Sequence, residues 1–339
     1  MRWQAREKGT SPSSSPSGAT PPAAPADAGL PSEAPATELA EAVAALRALD
    51  HVPAAHAALF ERVCAPQWRA RQRLSGKAFY PALSAEAASQ RLSNGFHLID
   101  FARLRLDEAE LRPLWEGLSA VLAEFGELSP AQAERGRKLA AAGKLSLTEL
   151  AGIVLEGDGA RLAALARRVR LPQRHLAWLA TFMLRPHLAA AAESLAARLG
   201  GVSWPHPTCP ACGHEPLMAL LVRPDGRRLA ECSMCATRWE ARRGRCAFYG
   251  NEDKESYKFL YYDLDSPYRV DVCDKCRRYL KVADERKMAV GWATQLAAED
   301  VATLYFDVLV ATRDTRRPGG PCRASRLPRR QSQRGGDSD

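Results

Sequence analysis

Seven cysteines between positions 209 and 276 are the residues of this sequence whose type and spacing best suit chemistry. Six of them form three C-x-x-C pairs, Cys209 with Cys212, Cys232 with Cys235, and Cys273 with Cys276. A C-x-x-C turn points two sulfurs toward one side of a tight loop, and two facing turns supply four thiolates at tetrahedral angles. This donor set suits Zn²⁺ or iron. Nineteen residues separate Cys212 from Cys232, which is within the spacing typical of paired metal-binding turns.

Cys246 begins a fourth turn, CAFYG, in which Tyr249 stands where the second cysteine would be. We expect the turns to pair in sequence order, because each half then closes its own short hairpin; cross-braced pairing is the alternative. Sequential pairing gives a complete site of Cys209, Cys212, Cys232 and Cys235, and a deficient site of Cys246, Cys273 and Cys276. Three states of the deficient site remain open: an open or water-filled fourth position, completion by Tyr249, Glu252 or Asp253, or no ion at all. The sequence therefore predicts one or two sulfur-ligated ions, zinc or iron.

Composition indicates a globular protein with room for two domains, since 46% of its 339 residues are hydrophobic and 26% are charged. The net charge of +9 raises the question of a polyanion partner, but residues 313–339 alone carry eight arginines against three aspartates. Nine cysteines are an odd number for a disulfide framework. No apolar segment follows the basic N-terminus, and the longest uncharged apolar stretch, 176–184, is too short to span a membrane. These features predict a cytoplasmic protein without membrane insertion.

Helical periodicity dominates residues 37–200, which we predict to be an all-α domain. Apolar residues recur at helical spacing in the segments 39–49, 54–74 and 111–125. Ser129 followed by Pro130 predicts a helix start, whereas Pro186 should kink or interrupt a long helix that begins near position 172. Residues 1–36 are rich in serine, proline and alanine, and we expect a disordered leader there. None of the common motifs for nucleotide binding, serine hydrolysis or zinc proteolysis occurs in the helical domain, so no catalytic residue is predicted.

Short runs typical of β-strands replace the helical pattern in the cysteine-rich region. These runs are 217–222, 229–232, Trp239, 258–262 and 268–272. We expect them to form two small zinc-ribbon units, 201–240 and 241–285, whose folding depends on metal because each has little core of its own.

Helical spacing returns between Trp292 and Thr312, which predicts a C-terminal helix within residues 286–312. The arginine-rich residues 313–339 should form a disordered tail. The predicted fold class is therefore α+β: a mainly α-helical N-terminal domain, two metal ribbons and a C-terminal helix.

The order of these motifs resembles that of the formate dehydrogenase accessory proteins over roughly residues 37–312. The motifs that carry the resemblance are LRPHLAAAAESLA (184–196), W-P-x-x-x-C-P-x-C-G-x-x-P (204–216), AECSMCATRWEARRGRC (230–246), VCDKCRRYLKV (272–282) and EDVATLYFDVLVA (299–311). The resemblance implies a helical domain with two rubredoxin-like ribbons that hold iron or zinc through all seven cysteines named above. Tyr249 departs from the family pattern, which has a cysteine at that position.

The resemblance also implies a cytoplasmic maturation factor that acts on the catalytic subunit of respiratory formate dehydrogenase and is not itself an enzyme. It implies no small-molecule substrate. Two other functions are compatible with the sequence. The basic charge would suit a nucleic-acid-binding zinc-ribbon protein, although acidic residues dilute the arginines near the turns. A single complete four-sulfur site would also permit a rubredoxin-like electron carrier.

Overall fold

Eight helices precede the cysteine-rich sheet in this computed structural model, which describes residues 4–5, 36–76, 80–200, 204–289, 295–311 and 315. They are α1 Ala36–Arg47, α2 Ala54–Leu74, α3 Ala85–Ser93, α4 Glu108–Glu124, α5 Pro130–Ala141, α6 Leu147–Glu156, α7 Gly159–Val169 and α8 Gln173–Ser194. The main core lies among α2, α4, α6 and α8, where Trp115, Leu118 and Leu176 are almost fully buried. This arrangement confirms the predicted helical N-terminal region.

Local sequence sets the ends of several helices. Ser129 and Gln132 form a reciprocal capping box at the start of α5, with Pro130 in the first turn, as predicted. Pro186 does not interrupt α8, which continues to Ser194. A proline in a helix interior costs about 3 kcal/mol. Burying Leu184 and Leu188 completely stabilises the helix by about 2 kcal/mol for each side chain, which offsets that cost.

The seven strands form one sheet of order β1-β5-β6-β7-β2-β3-β4. They are β1 Gln4–Ala5, β2 Pro216–Leu221, β3 Arg228–Cys232, β4 Arg238–Glu240, β5 Tyr257–Tyr261, β6 Tyr268–Cys273 and β7 Arg278–Asp284. Strands β2 to β4 form one antiparallel unit and β5 to β7 another. Parallel pairing of β2 with β7, from Met218 opposite Lys281 to Leu221 opposite Asp284, joins the two units. The two predicted ribbons therefore share one sheet.

Strand β7 is not among the runs predicted from the sequence, because a lysine interrupts its short apolar run. Its central residue, Lys281, is only 2% exposed and contacts the C-terminal helices. Leu280 and Val282 complete a buried strand on either side of it. A buried lysine with fixed partners thus replaces the apolar residue that a buried strand would normally show.

The C-terminal segment is divided into α9 Leu296–Ala302 and α10 Leu304–Ala311. The division lies at Thr303, which is fully buried. In a continuous helix the carbonyl of Asp300 would accept from the amide of Leu304, but here it accepts from Nζ of Lys281 at 2.6 Å. Oγ1 of Thr303 donates to the carbonyl of Glu299 at 2.6 Å. The buried lysine and this threonine together end the first helix.

The predicted leader and tail fall mostly outside the described residues. Within the leader, Gln4 and Ala5 pair with Tyr261 and Leu260 at the edge of the sheet, and α1 begins at Ala36. Within the tail only Thr315 is described. Over the described ranges, no helix combines the length and the apolar character that a membrane span requires.

Candidate metal centres

Two knuckle turns position the four cysteines of the first candidate centre. In the first turn the amide of Gly213 donates to the carbonyl of Cys209, and the amide of Cys209 donates to the carbonyl of His214, both at 2.8 Å. Gly213 has a φ of 77°, which favours glycine. In the second turn the amide of Cys232 donates to the carbonyl of Thr237 at 2.9 Å. The first turn precedes β2 and the second begins at the end of β3. Because β2 and β3 are antiparallel neighbours, the sheet holds the two turns face to face.

The four sulfurs of this centre have the spacing that a tetrahedral ion requires. All four Sγ atoms lie within 4.8 Å of one another. Sγ of Cys209 is 3.5 Å from Sγ of Cys235, and Sγ of Cys212 is 3.4 Å from Sγ of Cys232. Ligand sulfurs at about 2.3 Å from a tetrahedral ion are about 3.8 Å apart. The residues present therefore fit one four-coordinate ion.

Burial makes a cation at this centre electrostatically necessary if the sulfurs are thiolates. The four cysteines are at most 2% exposed. Desolvation raises the pKa of Cys212 and of Cys232 well above the usual value of a thiol. Zinc and iron bind the deprotonated form, so an ion would release the thiol protons and compensate the buried negative charge.

The helical domain contacts both turns of the first centre. The amides of Leu98 and Ile99, between α3 and α4, donate to the carbonyls of Pro210 and Ala211 at 2.9 and 2.7 Å. On the other side, Nε of Arg185 in α8 donates to the carbonyl of Ser233 at 2.8 Å. These contacts bury the first centre between the helices and the sheet, and no spacing in the sequence indicates them.

His97 is a further contact between the helical domain and the first centre that no sequence motif indicates. Its ring packs on Gly213, where an added Cβ would lie 2.6 Å from Nδ1. Its centroid is 5.5 Å from that of Phe101. Burial, with the nearby Arg91 cation, lowers the pKa of His97 to about 4, so the ring is neutral at pH 7. The His97–Gly213 contact joins residues more than one hundred positions apart, which no local motif could signal.

The second candidate centre contains Cys246, Cys273 and Cys276. Their Sγ atoms also lie within 4.8 Å of one another, and those of Cys246 and Cys276 are 3.6 Å apart. Cys246 and Cys273 are buried, whereas Cys276 is partly exposed. The structure thus groups the cysteines in sequence order, as the spacing favoured, and does not cross-brace the two ribbons.

Tyr249 is the residue nearest to a fourth ligand at the second centre. Its Oη is 3.9 Å from Sγ of Cys273, and the residue is 48% exposed. The two carboxylates considered from the sequence are engaged in ion pairs. Glu252 pairs with Arg245, and Asp253 pairs with Lys275 at 2.7 Å. Of the alternatives weighed from the sequence, completion by Glu252 or Asp253 has the least support.

Comparisons with known proteins agree with this arrangement. Residues 208–243, which include all four cysteines of the first centre, match the family model described as "FdhE, central domain". A protein named as an FdhE homolog from Rhizobium meliloti (strain 1021) is 30% identical over 115 residues, or 33% of this chain and 37% of that relative. The comparisons confirm the resemblance to the formate dehydrogenase accessory proteins, the family to which the FdhE proteins belong.

Further matches extend the likeness without covering whole relatives. An FdhE homolog from Shewanella sp. (strain MR-4) is 32% identical over 101 residues, which are 29% of this chain and 32% of that relative. The matched part therefore spans about a third of these curated relatives. The crystal structure of the FdhE protein from Pseudomonas aeruginosa superposes with a TM-score of 0.56 over 82% of this chain and 92% of that chain, at 19% identity. At that identity the superposition shows a shared fold, which confirms the predicted fold class.

Proposed function

We propose that this FdhE-like chain is a maturation factor that binds the catalytic subunit of formate dehydrogenase and is not itself an enzyme. The observation that supports the proposal most is the match to the FdhE central domain over the complete four-cysteine centre. The proposal includes all seven cysteines as metal ligands, the boundaries of the ribbons at 201–240 and 241–285, and a cytoplasmic location.

The first centre in this proposal has a structural role. Cys209, Cys212, Cys232 and Cys235 would hold one ion, which supplies charge compensation and cross-links the two turns. A closed shell of four thiolates leaves no position for a substrate, as in structural zinc sites. Because the helical domain contacts both turns, loss of the ion should loosen the interface between the helices and the sheet.

A groove beside the first centre is the surface at which we expect the partner to bind. It encloses about 620 Å³ and is lined by residues of α2 and α8, of the second turn and of α9 and α10. Trp178 and Phe182 stack there with ring centroids 4.3 Å apart, and both are partly exposed. Met234, which lies between two ligand cysteines, also lines the groove. An apolar segment of the catalytic subunit would therefore contact the helices and the first centre together.

Cys64 also lines this groove, and its role is packing. Burial raises the pKa of its thiol to about 11, so the residue is an uncharged thiol at pH 7. Thiolate chemistry at this position is therefore disfavoured, and the side chain packs as a small hydrophobic residue.

Neither alternative function gains support from the structure. Among the arginines near the turns, Arg245 pairs with Glu252 and Arg278 pairs with Glu215, which reduces the positive charge available to a phosphate backbone. The first centre is buried against the helical domain, which separates it from an electron donor or acceptor in solution.

The test is co-purification of the tagged full-length chain with the formate dehydrogenase catalytic subunit made in the same cells. We expect capture by the wild-type chain and at least a tenfold loss of capture with Phe182→Asp. Phe96→Asp is the matched control, because Phe96 is 56% exposed outside the groove and its change should leave capture intact. Absence of capture by the wild-type chain, together with unchanged formate dehydrogenase activity in cells lacking it, would overturn the proposal.

A further inference from the structure

The second centre repeats the backbone geometry of the first although one cysteine is missing. The amide of Gly250 donates to the carbonyl of Cys246 at 3.0 Å, and the amide of Cys246 donates to the carbonyl of Asn251 at 2.8 Å. The corresponding bonds in the first centre, from Gly213 to Cys209 and from Cys209 to His214, are both 2.8 Å. Gly250 has a φ of 75°, against 77° for Gly213. The turn that presents Tyr249 is therefore a preserved metal knuckle.

This correspondence assigns an equivalent to each sulfur of the first centre. The 3.6 Å separation of Cys246 and Cys276 repeats the 3.5 Å separation of Cys209 and Cys235. The remaining pair in the first centre is Cys212 with Cys232 at 3.4 Å. Its counterpart is Tyr249 with Cys273, whose Oη and Sγ are 3.9 Å apart. The position of the fourth ligand is therefore the one that Tyr249 covers.

Tyr249 covers this position from the solvent side. A tyrosine is much larger than a cysteine, so its side chain cannot fit within the volume of one ligand sulfur, and 48% of the residue is exposed. Cys276, the neighbouring ligand candidate, is also partly exposed. The first centre, in contrast, is buried against Leu98, Ile99 and Arg185. Only the second centre can be reached from solvent without separating the helices from the sheet.

No described carboxylate or histidine of this chain joins the three sulfurs of the second centre. Glu252 and Asp253, the acidic candidates considered from the sequence, pair with Arg245 and Lys275. Asp274, between Cys273 and Cys276, pairs with Lys258. A dication with three thiolates has one negative charge fewer than the same ion with four. The site can therefore accept one more anionic ligand before it reaches the charge of the first centre.

We propose that the second centre is a three-cysteine metal site whose fourth position, beneath Tyr249, accepts an external thiolate. The chemistry is ligand exchange without oxidation or reduction. With an ion held by the three cysteines, an incoming thiol would bind through sulfur and lose its proton to the solvent, while the ring of Tyr249 moves outward and a water molecule leaves the fourth position. The inference concerns the seven cysteines and Tyr249 alone and does not depend on the assignment to formate dehydrogenase.

The test uses the full-length chain loaded with Co²⁺ under anaerobic conditions, with a phosphine as reductant so that no small-molecule thiol is present at the start. Absorption from sulfur-to-cobalt charge transfer counts the bound thiolates. For the wild-type chain we expect two ions and a saturable increase of about one seventh when 2-mercaptoethanol is added, because seven cysteine ligands become eight thiolates. Tyr249→Cys should bind two ions, start at the higher absorption and fail to respond to the thiol.

Tyr249→Phe distinguishes an open position from one that the phenol oxygen fills. We expect this variant to bind two ions and to respond to 2-mercaptoethanol as the wild-type chain does. If the wild-type chain bound only one ion, or bound two without responding to the thiol, the proposal would be wrong. A response in Tyr249→Phe alone would show that Oη closes the site, and it would overturn the proposal as well.

The source of the thiolate is addressed by a second probe, an unstructured peptide with one cysteine, and its serine counterpart as control. A response to the cysteine peptide supports a cysteine of another protein as the natural ligand. A response to 2-mercaptoethanol alone supports a small thiol. Both results uphold the external thiolate, because each requires an accessible fourth position.

Discussion

Lys281 provides the sharpest test of how the sheet holds the C-terminal helices. It is 2% exposed, and its Nζ lies 2.5 Å from Oδ1 of Asp300 and 2.9 Å from Oδ2 of Asp307. Nζ also donates to the carbonyl of Asp300, and Tyr279 donates to the other oxygen of Asp307 at 2.5 Å. One buried cation thus fixes the end of α9 and the first turn of α10.

Lys281→Met should leave this network without its cation while nearly preserving side-chain volume. Breaking a buried ion pair from one side typically costs about 3–5 kcal/mol, because the remaining charge is uncompensated. We therefore expect the free energy of unfolding to fall by about 3–5 kcal/mol, which would be measured as a lower urea midpoint.

Hydrogen exchange should locate the effect, because 3 kcal/mol corresponds to about a 150-fold loss of protection. The loss should be confined to 296–311 and to β7. Lys258→Met is the matched control: Lys258 pairs with Asp274, both side chains are about half exposed, and the change should cost less than about 1 kcal/mol. Equal effects of the two variants would refute the reasoning, as would uniform loss of protection across the chain.

Two further perturbations test the first centre and the helical core. Gly213→Ala should lower the free energy of unfolding by at least about 1 kcal/mol more than Gly250→Ala, measured by urea unfolding. Both glycines have positive φ, but the new Cβ meets His97 at 2.6 Å only in the first case. Equal shifts would show that His97 gives way freely. His187 is buried and its pKa is lowered by desolvation, so stability should be complete above pH 6.5 and fall as pH drops below it, because the unfolded chain takes up the proton first. His187→Gln should reduce this acid dependence by up to one proton, measured by urea unfolding from pH 7.5 to 5, and an unchanged slope would contradict the assignment.

Local motifs predicted the elements of this fold better than they predicted the contacts between them. The cysteine spacing predicted which sulfurs are grouped together, because a C-x-x-C turn and its hairpin are local structures. The capping box at Ser129 was predicted for the same reason. The parallel pairing of β2 with β7 could not be predicted from the sequence, since it depends on a distant partner strand and on the burial of Lys281.

The residues that surround the first centre could not be predicted from the sequence either. Arg185 and His97 resemble ordinary surface residues until the helices are placed against the turns. The same holds for the end of α9, where Lys281 accounts for a break that apolar periodicity does not show. In each case a polar side chain acts through a distant backbone group.

The shared sheet explains why the second ribbon can keep its fold without a fourth cysteine. A free-standing ribbon depends on its ion for most of its stability. Here β7 pairs with β2 of the first ribbon, and Arg278 connects the two units further. Its guanidinium binds Glu215 and lies 4.0 Å from the ring centroid of Phe248, the residue before Tyr249. Because the first ribbon and the helices support this knuckle, the turn does not need a fourth protein ligand at position 249 to stay folded. The fourth position can therefore take part in the ligand exchange proposed above.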